Sequence, residues 1–474
     1  MSSDYYESKA FKQALAKYEE AVAQGATVYL DCDQLSDIAE YYQWTGDTSK
    51  ALSTADYTLS LFEGATIPLA LKARIALLNE NNPEKAEQLT ELIADKKDLD
   101  YFYIRAEILV ATNRGEEADL FLESNMEGLD DLDRLDLVLD AAILFIDYEY
   151  VDLAKKWLEK SDETDEADYR EVEGRIKFYE GDYKACECIF NQLIDKNPYN
   201  SYYWVVLASA QLAQNHLSDA ITSSEYAIAI NPKEEDALLY KGQALVRLKN
   251  YEEALEYFEK VSQVRSSNVE GYLNSANCLF ILNRYDEGLV ALRKAETRAK
   301  RHYPDRLSEI YQEEALAYSH LGEKERALAC LETMEQQVET DPYELMVTRA
   351  HIYCENDDLP QAQLLYKQAV VESRYQPSVM LRVAVSLYDN NFLQVAYNIL
   401  CALDPADQEK LPQAHAYMAA CAHDLGLDEA FIAHLGKAVE LSPSASLTVL
   451  SPLFPEGMEP QEYVKYATDN LLMK

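Results

Sequence analysis

The chain has 474 residues, too many for one compact core, and this length predicts several domains or an array of repeats. Hydrophobic residues make up 48%, while Gly and Pro number only 14 each, which argues against general disorder and favours helices joined by short turns. The net charge of -41 repels a phosphate backbone, so we expect no nucleic acid partner.

The beginning of the chain carries no cationic segment followed by an apolar run, and no stretch of 18 apolar residues occurs anywhere. We therefore expect no signal peptide and no membrane association. The eight Cys are scattered, as is typical of free thiols in a reducing compartment, so the sequence predicts a cytoplasmic protein. Residues 1–31 predict an N-terminal partial repeat, with one short helix and the second helix of a repeat unit.

From residue 32 onward, apolar residues recur at three- and four-residue spacing in pairs of runs, which predicts pairs of amphipathic helices. The clearest units are 201–232 and 235–266, which match one another with a shift of 34 residues. Gly242 and Ala254 keep the two helices of the second unit close together, and Pro232 ends the second helix of the first. A fixed period near 34 residues indicates stacked helix–turn–helix units.

Twelve units are predicted along the chain. They span residues 32–65, 67–97, 99–130, 135–165, 167–198, 201–232, 235–266, 269–302, 308–341, 343–376, 377–405 and 412–443. We group them as divergent acidic repeats (32–166), best-matching repeats with a long final helix (167–302) and further repeats (303–443). Residues 444–474 predict a C-terminal cap, with a helix from about Gln461 to Leu472 covering the last apolar face.

The pattern of Trp204, Ala208, Ala220, Ala227 and Pro232 resembles the signature of the tetratricopeptide repeat family. The resemblance extends over nearly the whole chain. It implies an all-α, right-handed superhelical solenoid of about 12 repeats, in which the first helix of each unit lines a concave groove. It also implies a scaffold or adaptor that binds a protein or peptide partner there, without catalysis and without a cofactor.

The second residue of the first helix is acidic in most units, and in the family this position faces the groove. These residues are Asp33, Asp100, Asp136, Asp168, Asp236, Glu270, Glu309 and Glu344. An acidic residue also favours the first turn of any helix through the helix dipole. The functional alternative is an acidic ladder that attracts Lys or Arg of a partner segment.

Other groove positions of the family carry apolar and aromatic residues here, and these are predicted partner contacts as well. They are Trp44, Tyr103, Phe178, Tyr179, Val205, Leu212, Leu239, Leu273, Phe280 and Val347, with Tyr202 from the cluster at Tyr199, Tyr202, Tyr203 and Trp204. For any single Tyr, packing between helices is the alternative. Some family members bind a C-terminal carboxylate through a clamp of Lys, Asn and Arg. Asn274 and Asn277 occur here, but Leu239, Leu273 and Gln312 occupy places where that clamp needs cations, so we do not expect that class of ligand.

Three further features leave alternatives open. The basic stretch from Arg293 to Arg306 is either a solvated helix end or a docking patch for an acidic partner or a second copy of the chain. His415, His423 and Cys421 near the C-terminus leave a metal-binding or enzymatic site as the alternative function. We find none of the common catalytic motifs, and a passive structural spacer is the remaining alternative.

Overall fold

The structure is a computed structural model that describes residues 5–6, 8–161, 164–264, 269–338, 340–455 and 458–471. Helices and the turns between them account for these residues, without any strand among them, which confirms the predicted all-α fold. None of the described helices has the length and apolar character that crossing a membrane requires. Residues 1–4 and the predicted ends at Ser266 and Leu472 lie outside the described residues.

The chain divides into two compact units, Met1–Ala210 and Gln211–Lys474, which we call unit 1 and unit 2 and describe separately. The grouping of repeats predicted from the sequence stays a prediction. The helices that begin in unit 1 are α1 Lys9–Gln24, α2 Cys32–Trp44, α3 Thr48–Leu61, α4 Thr66–Leu78, α5 Pro83–Glu91, α6 Leu99–Ala111, α7 Gly115–Met126, α8 Asp131–Asp147, α9 Val151–Leu158, α10 Ala167–Tyr179, α11 Tyr183–Lys196 and α12 Ser201–Ala213, the last of which crosses the division.

Unit 2 continues the alternation of helices and adds several short ones. Its helices are α13 Leu217–Ile230, α14 Glu235–Arg247, α15 Tyr251–Val264, α16 Glu270–Ile281, α17 Tyr285–His302, α18 Leu307–His320, α19 Lys324–Gln337, α20 Pro342–Glu355, α21 Leu359–Glu372, α22 Pro377–Asp389, α23 Leu393–Cys401, α24 Pro405–Lys410, α25 Ala414–Asp424, α26 Asp428–Leu441, α27 Pro443–Leu450 and α28 Pro460–Asn470.

Twelve helix pairs run from α2 and α3 to α25 and α26, and the members of each pair are its first and second helix. Every turn between the two carries one residue with positive φ, such as Gly181 (φ 79°) or Asn283 (φ 59°). In all but the turn between α4 and α5, the following amide donates back to the carbonyl five residues earlier, as Asp182 does to Lys177 at 2.9 Å. This geometry closes the first helix with satisfied carbonyls and reverses the chain into the second helix.

Small residues allow the two helices of a pair to approach closely, as the sequence predicts. A Cβ atom on Gly174 would lie 2.6 Å from the ring of Phe190, and one on Gly242 would lie 2.5 Å from the ring of Phe258. Both rings are fully buried, so each fills the space that the missing side chain leaves. Within each unit, second helices also pack on the next first helix, as α15 packs on α16, so that apolar surface is shared between neighbouring repeats.

The predicted C-terminal cap is present, and unit 2 contains two short helices that the sequence pattern missed. In the cap, Tyr463 of α28 stacks on Phe454 with ring centroids 3.8 Å apart, and both belong to the apolar cluster of Phe431 and Leu435 in α26. The missed helices are α24 and α27. Both are too short to show a clear amphipathic pattern. Both also begin at a Pro, a residue that in the sequence pattern indicates the end of the preceding helix.

Candidate functional site

Four first helices of unit 1, α2, α6, α8 and α10, carry carboxylates that lie near one another, while α4 carries none. We call Asp37, Glu40, Asp100, Asp140 and Glu171 the acidic strip. Glu40 of α2 lies close enough to Asp100 of α6 to repel it, and Asp100 in turn repels Asp140 of α8. Side chains three and four residues apart share one face of a helix, so these positions place carboxylates on the same side of α2, α6, α8 and α10.

Burial is the main influence on the acidic strip. It raises the pKa of Asp37, of Glu40 and of Glu171, all of which are half-buried. It also raises the pKa of Asp100 and of Asp140, which stay accessible to water although protein atoms surround them. Neighbouring carboxylates add to each effect. The strip therefore holds ionised groups that a nearby positive charge would stabilise.

Two arginines that lie near the strip, Arg74 of α4 and Arg175 of α10, are already engaged in ion pairs. Arg74 donates through Nε to Oε2 of Glu107 at 2.8 Å, and Arg175 donates through Nη2 to Oδ1 of Asp147 at 2.5 Å. Each adds an attraction for nearby strip carboxylates, but each also brings a further acidic side chain to the same surface. The strip keeps an excess of negative charge.

Aromatic side chains border the acidic strip. Burial raises the pKa of Tyr103, and Asp140 and Asp100 beside it raise that pKa further. Tyr202 lies near Arg175, and burial likewise raises the pKa of its hydroxyl. At the other end, Trp44 is 64% exposed and stacks on Tyr6 with centroids 5.4 Å apart. Rings beside carboxylates suit a cationic ligand, since both attract positive charge.

Several residues predicted from the sequence adjoin this strip, while most of the strip itself was missed. Asp100 belongs to it, Asp33 lies near Asp37, and Asp136 and Asp168 lie near Asp140. The missed residues are Asp37, Glu40, Asp140 and Glu171. Each follows a predicted acidic position by three, four or seven residues on the same helix, so same-face spacing is the signal that finds them.

In unit 2 the predicted ladder is largely neutralised within the chain. Arg306 pairs with Glu270 at 3.0 Å and with Glu309 at 2.9 Å. Arg382 lies 3.7 Å from Glu344. Asp236 is exposed. An acidic second residue of the first helix therefore recurs in both units, but in unit 2 arginines lie close to Glu270, Glu309 and Glu344 and offset their charge.

The predicted apolar contacts divide into buried and accessible side chains. Phe280 packs on Tyr285 and against Gly288 inside its own helix pair, and Phe178 packs on Tyr183. The side chains of Val205, Leu212, Leu273 and Val347 are buried, and Leu239 is half-buried. Tyr179, Tyr202 and Asn277 are exposed. For the buried residues, packing explains the apolar character, and a role in binding stays a prediction.

The aromatic cluster around residue 200 does not form one surface. Tyr203 is buried against Phe190, and the indole of Trp204 donates to the carbonyl of Pro198 at 2.9 Å. Tyr199 is 82% exposed. Tyr202 borders the acidic strip, and the hydroxyl of the buried Tyr203 lies beside Glu171 of that strip.

Comparison with known proteins decides the type of repeat. A family model described as "Anaphase-promoting complex, cyclosome, subunit 3" matches residues 213–295, which cover the repeats with the clearest 34-residue period. These repeats are of the tetratricopeptide type. A relative from Dictyostelium discoideum, the DnaJ homolog subfamily C member 7 homolog, is 25% identical over 227 residues, or 47% of this chain. The match spans only 38% of that relative's length.

Solved structures of similar proteins cover nearly the whole chain at low similarity. Yeast Tom70 covers 93% of this chain and 98% of its own, with 15% identity and a TM-score of 0.43. The APC/C hetero-tetramer Cut9-Hcn1 covers 95% of each chain, with 14% identity and a TM-score of 0.34. Both scores lie below 0.5, so the tetratricopeptide assignment rests on the matched segment and on the geometry of the helix pairs.

Two other sequence features have partners inside the tetratricopeptide array. In the basic stretch, Arg298 lies over the ring of Tyr272 at 4.4 Å, and Lys300 pairs with Glu296 at 2.8 Å. Near the C-terminus, the rings of His415 and His434 stack with their Nδ1 atoms 3.2 Å apart. Among the described residues, no three His, Cys, Asp or Glu side chains converge closely enough to hold a metal ion.

Proposed function

We propose that this chain is a non-catalytic interaction scaffold whose unit 1 binds a basic segment of a partner protein along the acidic strip. The family model that matches residues 213–295 describes a subunit of a protein complex, and tetratricopeptide-type scaffolds are generally non-enzymatic. A general role as a scaffold for protein interactions is what this repeat type supports, and the basic partner is the more specific part of the proposal.

The observation that carries the basic partner is the proximity of the carboxylates on α2, α6, α8 and α10, which lie close enough to repel one another. Burial and mutual repulsion disfavour their charged forms in the free chain. A Lys or Arg side chain placed between them relieves that repulsion, so binding gains from charges that Arg74 and Arg175 compensate only in part. Tyr103 and Tyr202 supply flat apolar surface beside the carboxylates for the alkyl stems of such residues.

The test uses the full chain and a fluorescein-labelled 12-residue peptide of alternating Lys and Ala. The decisive variant is Asp100→Asn with Asp140→Asn and Glu171→Gln, which removes three strip charges without changing side-chain size. We expect the dissociation constant, measured by fluorescence anisotropy at low salt, to rise by about tenfold or more. We also expect the affinity of the unaltered chain to fall as salt rises.

A matched control removes the same net charge from second helices of unit 1. It combines Glu84→Gln, Glu116→Gln and Asp152→Asn, all at exposed positions. We expect it to change the dissociation constant by less than about twofold. Equal weakening by both triple variants would mean that total charge alone attracts the peptide, and the proposed strip would then be wrong. Absence of binding by the unaltered chain would exclude the basic partner.

A further inference from the structure

Unit 2 contains an apolar groove on the side of its second helices. The groove has a volume of about 1010 Å³ and lies between α21 and α23. Met380, Val383 and Leu387 of α22 form its floor. The opposite face of α22 carries polar side chains, among them Arg382 and Asp389. The groove is therefore a separate surface from the first-helix side of the same repeats.

Local irregularities in the chain explain why the groove is open. The link from α21 to α22 contains two consecutive residues with positive φ, Arg374 (57°) and Tyr375 (61°). The second helix α23 has only nine residues, against 14 in α21, and the extra helix α24 follows it. A short α23 leaves the apolar wall of α21 without a neighbour of equal length.

Large apolar side chains stay in water as a result. Tyr375 is 63% exposed, Val371 49% and Val395 48%, and Leu359 and Phe392 are exposed at the far end of the groove. A contiguous apolar surface of this kind marks an interaction site in a folded protein. Its elongated form between two helices matches the groove that an amphipathic helix fills with residues spaced i, i+3, i+4 and i+7.

The charges on the rim specify the occupant further. Asp404 and Asp407 line the end of the groove where α21 and α23 both terminate. The carbonyl ends of these two helices add partial negative charge at the same place. Lys367, in the C-terminal half of α21, adds one positive charge to that wall, fewer than the two carboxylates at the end. One end of the groove is thus electronegative, while its centre is apolar.

We propose that this groove docks an amphipathic α-helix of a partner protein, with an apolar face along the groove and Lys or Arg in the terminal turn beside Asp404 and Asp407. A helix as long as α21, with 14 residues, spans about 21 Å. The proposal is independent of the acidic strip, because it concerns other helices and an apolar ligand face.

The test uses the full chain and a fluorescein-labelled 14-residue helical peptide with Leu at i, i+3, i+4 and i+7 and a Lys pair in one terminal turn. A matched peptide carries a Glu pair in place of the Lys pair. We expect the Lys peptide to bind about fivefold more tightly at low salt, and hydrogen exchange to slow in α21 and α23 when it binds. Val395→Glu should weaken binding by about tenfold or more, because it places a charge against the apolar face of the ligand.

Two further variants separate the charge effect from folding and from the acidic strip. Asp404→Asn with Asp407→Asn keeps a side-chain acceptor at the cap of α24, where Asp404 accepts from the amide of Ala406, and should bring the two peptides to within about twofold of each other. Val371→Glu on the opposite wall should repeat the effect of Val395→Glu. The triple variant of the acidic strip should leave binding of the Lys peptide unchanged.

Several results would overturn the proposal. Equal affinity for the two peptides would refute the charge rule, and protection confined to helices other than α21, α22 and α23 would place the peptide elsewhere. Self-association of the unaltered chain that Val395→Glu abolishes would make the groove a contact between two copies. Displacement of the Lys peptide by oleate at a lower concentration than by the unlabelled peptide would identify an acyl chain as the occupant.

Discussion

The first helices of units 1 and 2 share an acidic second residue but differ in what lies beside it. In unit 1, Asp100 has Asp140 and Glu40 as neighbours, and burial raises its pKa. In unit 2, Arg306 lies between Glu270 and Glu309 and pairs with both. The repeat fixes where the carboxylate stands, whereas the neighbouring repeat decides whether it is free to bind a cation.

The first-helix side of unit 2 is also more internally bonded. His351 of α20 contacts Oγ of Ser386 through Nδ1 at 2.9 Å and the side-chain amide of Asn390 at 3.1 Å. Burial lowers the pKa of His351 and raises that of Asp389. Where the strip of unit 1 leaves like charges side by side, the polar groups around His351 in unit 2 contact one another.

The largest expected effect tests whether the two units share one packing rule despite different surfaces. Gly174→Ala in unit 1 and Gly242→Ala in unit 2 each place a methyl group against a buried Phe ring. We expect each to lower local stability by about 1–3 kcal/mol, because neither ring has room to move. Hydrogen exchange in the affected helix pair measures this, since a repeat array does not unfold as one unit.

Gly436 supplies the control for these substitutions. An added Cβ at Gly436 in α26 meets no atom within 4 Å. Gly436→Ala should therefore stabilise its helix by up to about 1 kcal/mol, because Ala has the higher helix propensity. Destabilisation at Gly436, or none at Gly174 and Gly242, would contradict the role of close packing.

The second effect is an opposite response of the two units to pH. Burial and the neighbouring His415 lower the pKa of His434 to about 4 in the folded chain, below its ordinary value of 6.5. The unfolded state then binds more protons between these values, so stability is present above about pH 6.5 and is lost as the pH falls toward 4. We expect the last helix pair to lose about 1–2 kcal/mol, after allowance for partial exposure.

In unit 1 the sign is reversed. The pKa of Glu171 and that of Asp140 are raised in the folded chain, mainly by burial. Their contribution to stability is present at low pH and is lost as the pH rises through the folded-state pKa. Lowering the pH from 7 to 5 should therefore raise the protection factors of amides in α8 and α10 and lower those in α26, once the exchange rates are corrected for the slower intrinsic exchange at lower pH. His434→Gln should abolish the second change, and His423→Gln should preserve it.

The third and smaller effect is a gain in peptide affinity when unit 2 loses the arginines that pair with its acidic residues. Arg306→Gln with Arg382→Gln frees Glu270, Glu309 and Glu344 from their cations. On the background of the triple variant of the acidic strip, we expect this change to tighten binding of the Lys–Ala peptide by about fivefold. Arg284→Gln, which removes an exposed cation from the start of a second helix, is the control and should have no effect. Equal gains would show that net charge, not position, governs binding.

Much of the fold follows from local patterns, whereas the details of the candidate site depend on neighbouring repeats. Periodic apolar residues predict the helix pairs, and the small residue at Gly242 predicts their close approach, since both signals lie within one repeat. The pairing of Arg306 with Glu270 joins residues from different repeats. Phe280 turns toward Tyr285 in its own pair, although the family pattern predicts a groove contact. Side-chain direction and inter-repeat contact are not encoded in helical periodicity.

The smallest expected effect is a change in stability on substitution in the turns between paired helices. The residue type at the positive-φ position of each turn can be read from the sequence. Most of the turns place Gly, Asn or Asp at the position with positive φ, but Glu149 in unit 1 (63°) and Lys249 in unit 2 (61°) are exceptions. A longer side chain is strained in this conformation, while Asn tolerates it. Glu149→Asn and Lys249→Asn should each stabilise their helix pair by about 0.5–1 kcal/mol, measured as slower hydrogen exchange. An equal gain in both units would show that the turn geometry is common to them, while a gain in one alone would tie the residue to a local contact.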